Sequence, residues 1–404
     1  MVSTTGHAQR GQAAACDDAI SSATAELVAL SHDIHAEPEL AFEEHRSAAK
    51  IVEVLAGHGF EVRTGIAGLP TAFEATFGSG ELEVGLCAEY DALPEIGHAC
   101  GHNIIAASST GAALGLAEVA DRYGLTVRVL GTPAEESGGG KVLMLERGAF
   151  DGLAMALMVH PGPWEIVGAS SLALADLAVG FTGQAAHASA APEFGRNAGD
   201  AATVAQVALG LLRQHLAPGQ QLHGFVGTGG VAPNIVPAYS ELLYYLRATT
   251  AASLDDLYRR AADCFAAGAL ATGCTHEIRH VSPTYNELTP DADLVGIYRE
   301  VIVGLGRTPW PADLEGARPL GSTDMGNVTN VVPGIHPCIA IDSEGAVTHQ
   351  PGFAAAAVNA SADQAVLDGA QALAHTAIRA ATHHRDRLLE RASAAQPFRA
   401  KRGG

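Results

Sequence analysis

Three short apolar runs between residues 82 and 160 alternate with helical stretches, and each run precedes a loop rich in polar side chains. The runs lie at 82–87, 126–130 and 154–159, and the segments between them carry apolar residues at helical spacing. This strand–helix–strand–helix–strand order predicts an α/β fold whose mostly parallel sheet has helices on both faces. Because the carboxyl ends of parallel strands meet at one edge, we expect the three loops to form one site.

The loop after the first run holds the densest group of candidate ligands. It contains two carboxylates, two histidines and a cysteine: Glu89, Asp91, His98, Cys100 and His102. Soft and borderline ligands packed this closely predict a transition-metal site. The alternative is a loop with two surface histidines and a buried cysteine. The next two loops weigh against that alternative, because they add two adjacent glutamates and a further histidine.

The pattern changes near residue 170, where a second set of elements begins. Their order, βαββαβ, predicts a small ferredoxin-like sandwich. The predicted elements are 172–182, 197–215, 221–227, 239–248, 253–271 and 275–281. We therefore predict a discontinuous metal-binding domain at 19–170 and 286–395 that carries an inserted domain at 171–285. Flexible tails are expected at 1–18 and 396–404.

The amino-acid composition and the net charge limit the classes of protein to which the chain can belong. The 404 residues are too many for one ordinary core, and 5% aromatic content predicts a core of Ala, Val and Leu. The net charge of −20 argues against nucleic acid or an anionic membrane as a partner. Six scattered cysteines do not resemble a disulfide framework, and we see neither a secretory signal nor an apolar run long enough to span a membrane. These features predict a cytoplasmic protein.

Five motifs, in this order, resemble those of the metal-dependent aminoacylase/carboxypeptidase family, the amidohydrolases of peptidase family M20. They are His32-Asp-Ile-His-Ala-Glu-Pro-Glu-Leu40, Asp91-Ala-Leu-Pro94, His98-Ala-Cys-Gly-His-Asn103, Thr132-Pro-Ala-Glu-Glu136 and Gly183-Gln-Ala-Ala-His187. The chain looks most like the branch of aminobenzoyl-glutamate hydrolase and the β-alanyl-lysine-type dipeptidase. The resemblance implies a zinc-peptidase-like catalytic domain with an inserted lid, and a homodimer or higher oligomer formed through that lid.

The resemblance also implies a metal centre. The residues that match the family's ligands are Cys100, His102, Glu136, His160 and His349. They would hold two divalent ions, with Zn²⁺ preferred and Mn²⁺ as the alternative, and Cys100 would bridge the ions or bind one. Glu135 would act as general acid/base and Asp91 would orient a ligand. Since the wider family has His-x-Asp where this chain has Glu89-Tyr-Asp91, Glu89 is either a ligand or a buried partner.

Further matches imply contacts with substrate. His187 matches a lid histidine that stabilises the oxyanion, in its own subunit or across a dimer. Asn234 and Arg247 match residues that hold substrate, and Arg247 is suited to a carboxylate. A loop at 321–324 would line the pocket with two further candidates, Ser322 and Thr323.

These inferences predict a hydrolase that cleaves the amide of an N-acyl amino acid, a dipeptide or an aminobenzoyl-glutamate-like compound. Metal-activated water would be the nucleophile, and Glu135 the general base. A second hypothesis has the same site act on an arylamine or a xenobiotic amide. A third is a non-catalytic metal-binding scaffold protein, which leaves the joint presence of base and ligands unexplained.

Overall fold

The computed structural model describes residues 5–316 and 321–394, with side chains from residue 14 onward. The chain forms two compact units. Residues 171–287 form one unit, and the residues on either side of them form the other. Of the two predicted flexible tails, residues 1–4 and 396–404 lie outside the described residues.

The strands and helices are numbered in chain order. The strands are β1 (Glu61–Thr64), β2 (Phe73–Gly78), β3 (Leu82–Ala88), β4 (Leu125–Gly131), β5 (Met155–Leu157), β6 (His160–Gly162), β7 (Ala173–Thr182), β8 (Gln221–Thr228), β9 (Tyr239–Ala248), β10 (Thr275–His280), β11 (Gly334–Ile335) and β12 (Cys338–Ala340). The helices are α1 (Thr5–Ser22), α2 (Thr24–Ala36), α3 (His45–Gly57), α4 (His102–Ala117), α5 (Ala120–Tyr123), α6 (Gly140–Glu146), α7 (Ala198–Leu212), α8 (Ala251–Thr272), α9 (Ala292–Gly304), α10 (Ala312–Glu315), α11 (Met325–Thr329), α12 (Pro351–Ala356), α13 (Ala360–His383) and α14 (Arg385–Ala394).

A mixed sheet forms the centre of the larger unit. Among the described residues its strand order is β1-β2-β4-β3-β5-β11. β3 runs parallel to β4 and β5, and β5 runs parallel to β11. In the described part of this sheet two pairs are antiparallel, β1 with β2 and β2 with β4, and both lie at one edge. The predicted mostly parallel sheet is therefore confirmed.

Helix α4 lies at the centre of the helical layer and packs against α1, α2 and α13. Gly111 on α4 permits this close approach, because a Cβ there would lie 2.8 Å from Leu27 Cδ1 and 2.9 Å from Ala370 Cβ. Small residues at such contacts let the helix backbones come together and keep the core dense. The alanine-rich composition thus builds a core from tightly packed helices.

The structure contradicts the predicted loose leader over its described part. Helix α1 already begins at Thr5, and Cys16 and Ile20 are buried in the core. Both side chains lie beside Gly115 of α4, where a Cβ would be 2.7 Å from Cys16 Sγ. The segment folds because its few apolar side chains fill space beside a helix about 100 residues later in the chain, which local composition does not reveal.

The unit at 171–287 has the predicted element order, β7-α7-β8-β9-α8-β10. Its described strands form an antiparallel sheet in the order β10-β7-β9-β8. Helices α7 and α8 contact each other and bury Phe181 and Phe265 in a separate core. Asn197 and Thr250 begin these helices by accepting hydrogen bonds from first-turn amides.

Three loops of the larger unit leave the sheet side by side. The register pairs Ala88 with Gly131 at the ends of β3 and β4, and Leu86 with Leu157 near the ends of β3 and β5. The chain beyond these ends carries Glu89, Glu135 and His160. The parallel arrangement therefore brings these loops to one edge, as the alternating pattern predicts.

Candidate metal centre and active site

His102 and Asp91 form a fully buried pair at the start of α4. His102 Nδ1 lies 2.9 Å from Asp91 Oδ1 and 2.9 Å from the Asp91 carbonyl oxygen. Since both partners are acceptors, Nδ1 carries a proton and the other ring nitrogen, Nε2, faces the opposite way. Nε2 has no hydrogen-bond partner among the described residues. Asp91 thus orients His102 as the carboxylate behind a histidine ligand does.

Cys100, His102 and His160 form the first group of potential ligands, with ligand atoms all within 4.8 Å of one another. Cys100 Sγ lies 3.4 Å from His160 Nε2. His160 Nδ1 donates to the carbonyl oxygen of Pro161 at 2.7 Å, which leaves Nε2 as the nitrogen that faces Cys100. Burial, with charge on His102, lowers the pKa of His160 to about 4 and keeps its ring neutral, as a ligand requires.

Cys100, Glu136 and His349 form the second group, again within 4.8 Å. Glu136 Oε1 lies 3.4 Å from His349 Nε2 and has no hydrogen-bond partner among the described residues. The His349 backbone has a left-handed φ of 67° and donates its N–H to the Ala99 carbonyl at 2.9 Å. Cys100 is common to both groups, so the five residues form one cluster.

The donor set of this cluster fits divalent metal ions. It offers sulfur, imidazole nitrogen and carboxylate oxygen, the ligands that Zn²⁺ and similar ions accept. Two of its buried atoms, His102 Nε2 and Glu136 Oε1, have no partner among the described groups, although buried polar atoms normally have one. Bound cations would satisfy both atoms.

The electrostatics of the cluster also favour cations. Burial opposes charge on His102 and on Asp91, yet their mutual attraction raises the pKa of His102 well above its usual value and lowers that of Asp91. His102 Nε2 also lies 3.9 Å from a Glu136 oxygen and 4.0 Å from a Glu135 oxygen. The surrounding carboxylates therefore attract positive charge to this nitrogen, and a metal ion there would displace its proton.

Glu135 lies beside the ligand cluster. It belongs to neither group that contains Cys100, but it forms two further groups within 4.8 Å, one with His102 and Glu136 and one with Glu89 and Asp324. It is almost completely buried. Burial, together with Glu89, Glu136 and Asp324, raises its pKa well above the usual value for a glutamate. A carboxyl group that holds a proton readily beside a metal cluster is suited to general acid/base chemistry.

An internal lysine forms ion pairs with two buried carboxylates near Glu135. Lys141 is fully buried, and its Nζ donates to Glu89 Oε1 and, at 2.8 Å, to Asp324 Oδ1. The Lys141 backbone N–H also donates to Asp324 Oδ2 at 2.9 Å. Glu89 Oε1 is thus paired with Lys141, whereas Glu89 Oε2 has no hydrogen-bond partner among the described residues and Glu89 also forms a potential ligand group with Glu135 and Asp324. Sequence reasoning missed Lys141 and Asp324, because 183 residues separate them and only folding brings them together.

Two buried histidines lie near the cluster outside the ligand groups. The ring of His336 lies 5.3 Å from the ring of His160, and His98 lies 6.0 Å from His35. Burial lowers the pKa of each to about 3, so both are neutral. Of the candidate ligands in the loop after the first apolar run, His98 belongs to none of the potential ligand groups among the described residues. No sequence motif identified His336 as a residue near the site.

The two predicted substrate residues of the loop at 321–324, Ser322 and Thr323, lie in different surroundings. Thr323 Oγ1 accepts the N–H of Met325 at 3.2 Å, so its side chain stabilises the start of α11. Asp324 is the residue of this loop that reaches the buried charges, through Lys141. Ser322 is partly exposed.

His187, Asn234 and Arg247 belong to the unit at 171–287. His187 Nδ1 accepts the backbone N–H groups of Ser189 and Ala190 at 3.3 and 3.2 Å, which makes Nε2 the donor nitrogen. The Ala188 N–H donates to the Asn234 carbonyl at 3.0 Å, so these two segments are neighbours. Arg247, on β9, has its guanidinium carbon 5.4 Å from the centre of the Tyr245 ring.

Comparison with known sequences identifies related proteins. Residues 85–379 match Peptidase family M20/M25/M40. Xaa-Arg dipeptidase of Mus musculus is 42% identical over 378 residues, which cover 89% of this chain and 86% of that protein. A p-aminobenzoyl-glutamate hydrolase subunit of Escherichia coli (strain K12) is 32% identical over 318 residues, which cover 74% of this chain and 66% of that protein.

Solved structures share the fold. An aminobenzoyl-glutamate utilization protein from Klebsiella pneumoniae superimposes with a TM-score of 0.68 at 21% identity, covering 90% of this chain and 98% of that one. A dinuclear metal-binding peptidase of the M20 family from Bacillus subtilis gives 0.67 at 20% identity, covering 90% and 99%. Among the described helices of the present chain, none combines the length and the apolar character that a membrane span requires.

Proposed function

The chain belongs to peptidase family M20/M25/M40, and from that premise we propose that it is a metal-dependent dipeptidase acting on dipeptides with a basic C-terminal residue. The predicted enzyme class, a hydrolase of C–N bonds, is confirmed by this membership. One observation carries the proposal: Glu135 lies beside two ligand groups that share Cys100. The choice of a basic residue rests on the similarity to Xaa-Arg dipeptidase.

The ions would be held by the ligands predicted from sequence. These are Cys100, His102, Glu136, His160 and His349. Two divalent ions, Zn²⁺ or alternatively Mn²⁺, would lower the pKa of a water molecule and polarise the substrate carbonyl. The imidazole and thiolate donors favour Zn²⁺, whereas the carboxylate tolerates either metal. Asp91 keeps His102 in the tautomer that binds metal through Nε2.

Glu135 is the proposed proton carrier. Its carboxylate takes a proton from the attacking water and returns it to the amine that leaves. The buried setting that raises its pKa supports this exchange, because a base with a pKa closer to neutrality also releases the proton readily. Lys141 compensates the charge of Glu89 and Asp324, which border the same carboxylate.

The substrate contacts remain proposals from the family resemblance. His187 would donate Nε2–H to the substrate carbonyl oxygen as negative charge develops there. Arg247 would bind the C-terminal carboxylate, since guanidinium and carboxylate form paired hydrogen bonds. Asn234 and the backbone around Ser322 and Thr323 would complete the contacts. Whether His187 serves its own subunit or a partner depends on the assembly.

A homodimer through the unit at 171–287 is also proposed. β8 is an edge strand of the described sheet, and its Phe225 is 63% exposed. Val207 and Leu211 expose apolar side chains on α7. An uncovered strand edge with apolar side chains is an unusual surface for a monomer. Light scattering during gel filtration tests the proposal: we expect a dimer that Phe225→Arg converts to monomer. A monomeric wild type would reject it.

A cytoplasmic location is proposed from the cysteines. All six are free thiols, as expected in a reducing compartment.

The test of function is amine release by purified protein supplied with Zn²⁺ or Mn²⁺, with a chelator-treated sample beside it. The panel holds dipeptides ending in Arg or Lys, matched dipeptides ending in Leu or Glu, N-acyl amino acids, aminobenzoyl-glutamate and an arylamide. Chelator-sensitive release from the Arg and Lys dipeptides supports the proposal. Preference for another class moves the assignment there, and silence from metal-loaded protein across the panel rejects it.

A further inference from the structure

Glu44 is a fully buried carboxylate that none of the roles above uses. It directly precedes α3, and it faces two segments from elsewhere in the larger unit. Its Oε1 accepts the backbone N–H of Ala134 at 2.9 Å, and its Oε2 accepts the Thr71 hydroxyl at 2.8 Å. Each carboxylate oxygen therefore holds a different segment, and the two segments are 90 and 27 residues away from it in the chain.

Ala134 is the residue at which this contact matters. Its φ of 60° is left-handed, a conformation that alanine rarely adopts because its Cβ crowds the backbone. Such backbone persists only where neighbouring groups hold it. Ala134 immediately precedes Glu135 and Glu136, so its conformation decides the direction in which both carboxylates leave the loop.

A second path of hydrogen bonds joins Glu44 to the other side of the site. The Thr71 carbonyl accepts the hydroxyl of the buried Tyr90 at 2.6 Å. Tyr90 directly precedes Asp91, whose Oδ2 accepts the Glu136 N–H at 2.9 Å. Glu44 thus connects the segment that orients His102 with the loop that carries Glu135 and Glu136.

We propose that Glu44 is a positioning residue that holds Ala134 in its left-handed conformation and thereby aims Glu135 at the reacting atoms. The inference rests on the proposed function, in which Glu135 carries the proton. It assigns the buried carboxylate a task in the reaction, carried out through the Ala134 amide. Even a small shift of the Glu135 carboxylate away from the reacting atoms is sufficient to slow the reaction strongly.

The experiment compares Glu44→Ala with Glu44→Gln. The alanine variant removes both hydrogen bonds, and we expect kcat to fall by about 100-fold with little change in KM. The glutamine variant keeps an oxygen for the Ala134 N–H, and its amide can donate to the Thr71 hydroxyl, which rotates to accept. We therefore expect Glu44→Gln to retain nearly all of the wild-type kcat.

Glu39→Ala is the matched control. The Glu39 carboxylate accepts the N–H groups of Arg46 and Ser47 at 2.9 and 2.8 Å, in the first turn of the same helix. Its loss removes comparable hydrogen bonds while leaving the bond to Ala134 in place. We expect a lowered Tm with an unchanged kcat, measured well below that Tm. An equal fall of kcat in the Glu39 and Glu44 variants would reduce Glu44 to a purely structural role and overturn the inference.

Hydrogen exchange gives a readout independent of turnover. The Ala134 amide should exchange faster in Glu44→Ala than in wild type, and at the wild-type rate in Glu44→Gln. An active wild type together with an alanine variant of undiminished kcat, or with a glutamine variant as slow as alanine, would refute the role of Glu44. An inactive wild type would instead refute the proposed function, and the exchange data would still report whether Glu44 holds Ala134.

Discussion

The two units carry their candidate functional residues in opposite ways. In the larger unit, His102, Asp91 and Lys141 are completely buried and bonded to one another or to close neighbours. In the unit at 171–287, His187 lies near the surface, and the edge strand β8 exposes most of its side chains. The larger unit thus holds these three polar groups in its interior, whereas the smaller unit exposes His187 and most of β8.

This difference matches the chemistry proposed for each unit. Metal binding and proton transfer need groups whose positions and pKa values are set by a dry, fixed environment. Contacts with substrate, and with a second subunit, need surfaces that other molecules can reach. Substitutions in the larger unit should therefore change chemistry or metal content, and those on β8 should change assembly with little cost in stability.

The largest effect is expected for Glu135→Gln. The variant keeps the shape of the side chain but cannot accept a proton, so kcat should fall by about 10³-fold or more. Metal content, measured by atomic emission, should stay at the wild-type level because the five proposed ligands remain and glutamine keeps an oxygen atom where Glu135 lies beside His102 and Glu136. Wild-type-like turnover in this variant would remove Glu135 from the mechanism.

Cys100→Ala should remove metal. Cys100 is common to both ligand groups, and the loss of residues that merely orient ligands already costs about 10–100-fold in affinity. We expect metal retained after dialysis, and activity, to fall by at least that factor. Cys87→Ala is the control, since Cys87 is buried in β3 and belongs to neither group. Full metal content in the Cys100 variant would exclude it as a ligand.

The core of the smaller unit offers a matched pair of phenylalanines. Phe265 on α8 is fully buried, whereas Phe225 on β8 is 63% exposed. Phe265→Ala should reduce the free energy of unfolding by about 3–5 kcal/mol, since it leaves a cavity. Phe225→Ala should change it by less than about 0.5 kcal/mol in the monomer. Urea unfolding measures both, and equal losses would contradict the division into core and outer surface.

The free energy of unfolding of the larger unit should depend on pH because of the buried carboxyl group of Glu44. Burial, aided by the charge of Asp91, raises the pKa of Glu44 from 4.5 to about 7. The folded state therefore favours the protonated carboxyl, and this contribution to stability is complete below pH 4.5 and is lost as the pH rises through 7. The loss amounts to about 3 kcal/mol. Urea unfolding of metal-free protein should show a shallower decline for Glu44→Gln, and identical slopes would contradict the raised pKa.

Sequence alone determined much of the fold and the makeup of the candidate cluster. Apolar runs that alternate with helical segments determine a parallel sheet. The runs have the pattern of strands, and the helices that connect them leave few other ways to pack strands and helices into layers. The change of pattern near residue 170 indicated the βαββαβ unit that the structure contains. The motifs around Cys100 and Glu136, and the position of His160 after the third apolar run, marked residues that folding brings within ligand distance.

The tertiary structure decided what depends on contacts between distant segments. Lys141 meets Glu89 and Asp324 only after three loops have reached one edge, and nothing local distinguishes it from a surface lysine. Helix α1 forms because Cys16 fits beside Gly115, although its sequence resembles a loose tail. Glu44 has its proposed role only because folding brings the backbone N–H of Ala134 within hydrogen-bond distance of the Glu44 carboxylate. Sequence patterns record local periodicity and residue type, whereas burial and hydrogen-bond partners arise from packing across the chain.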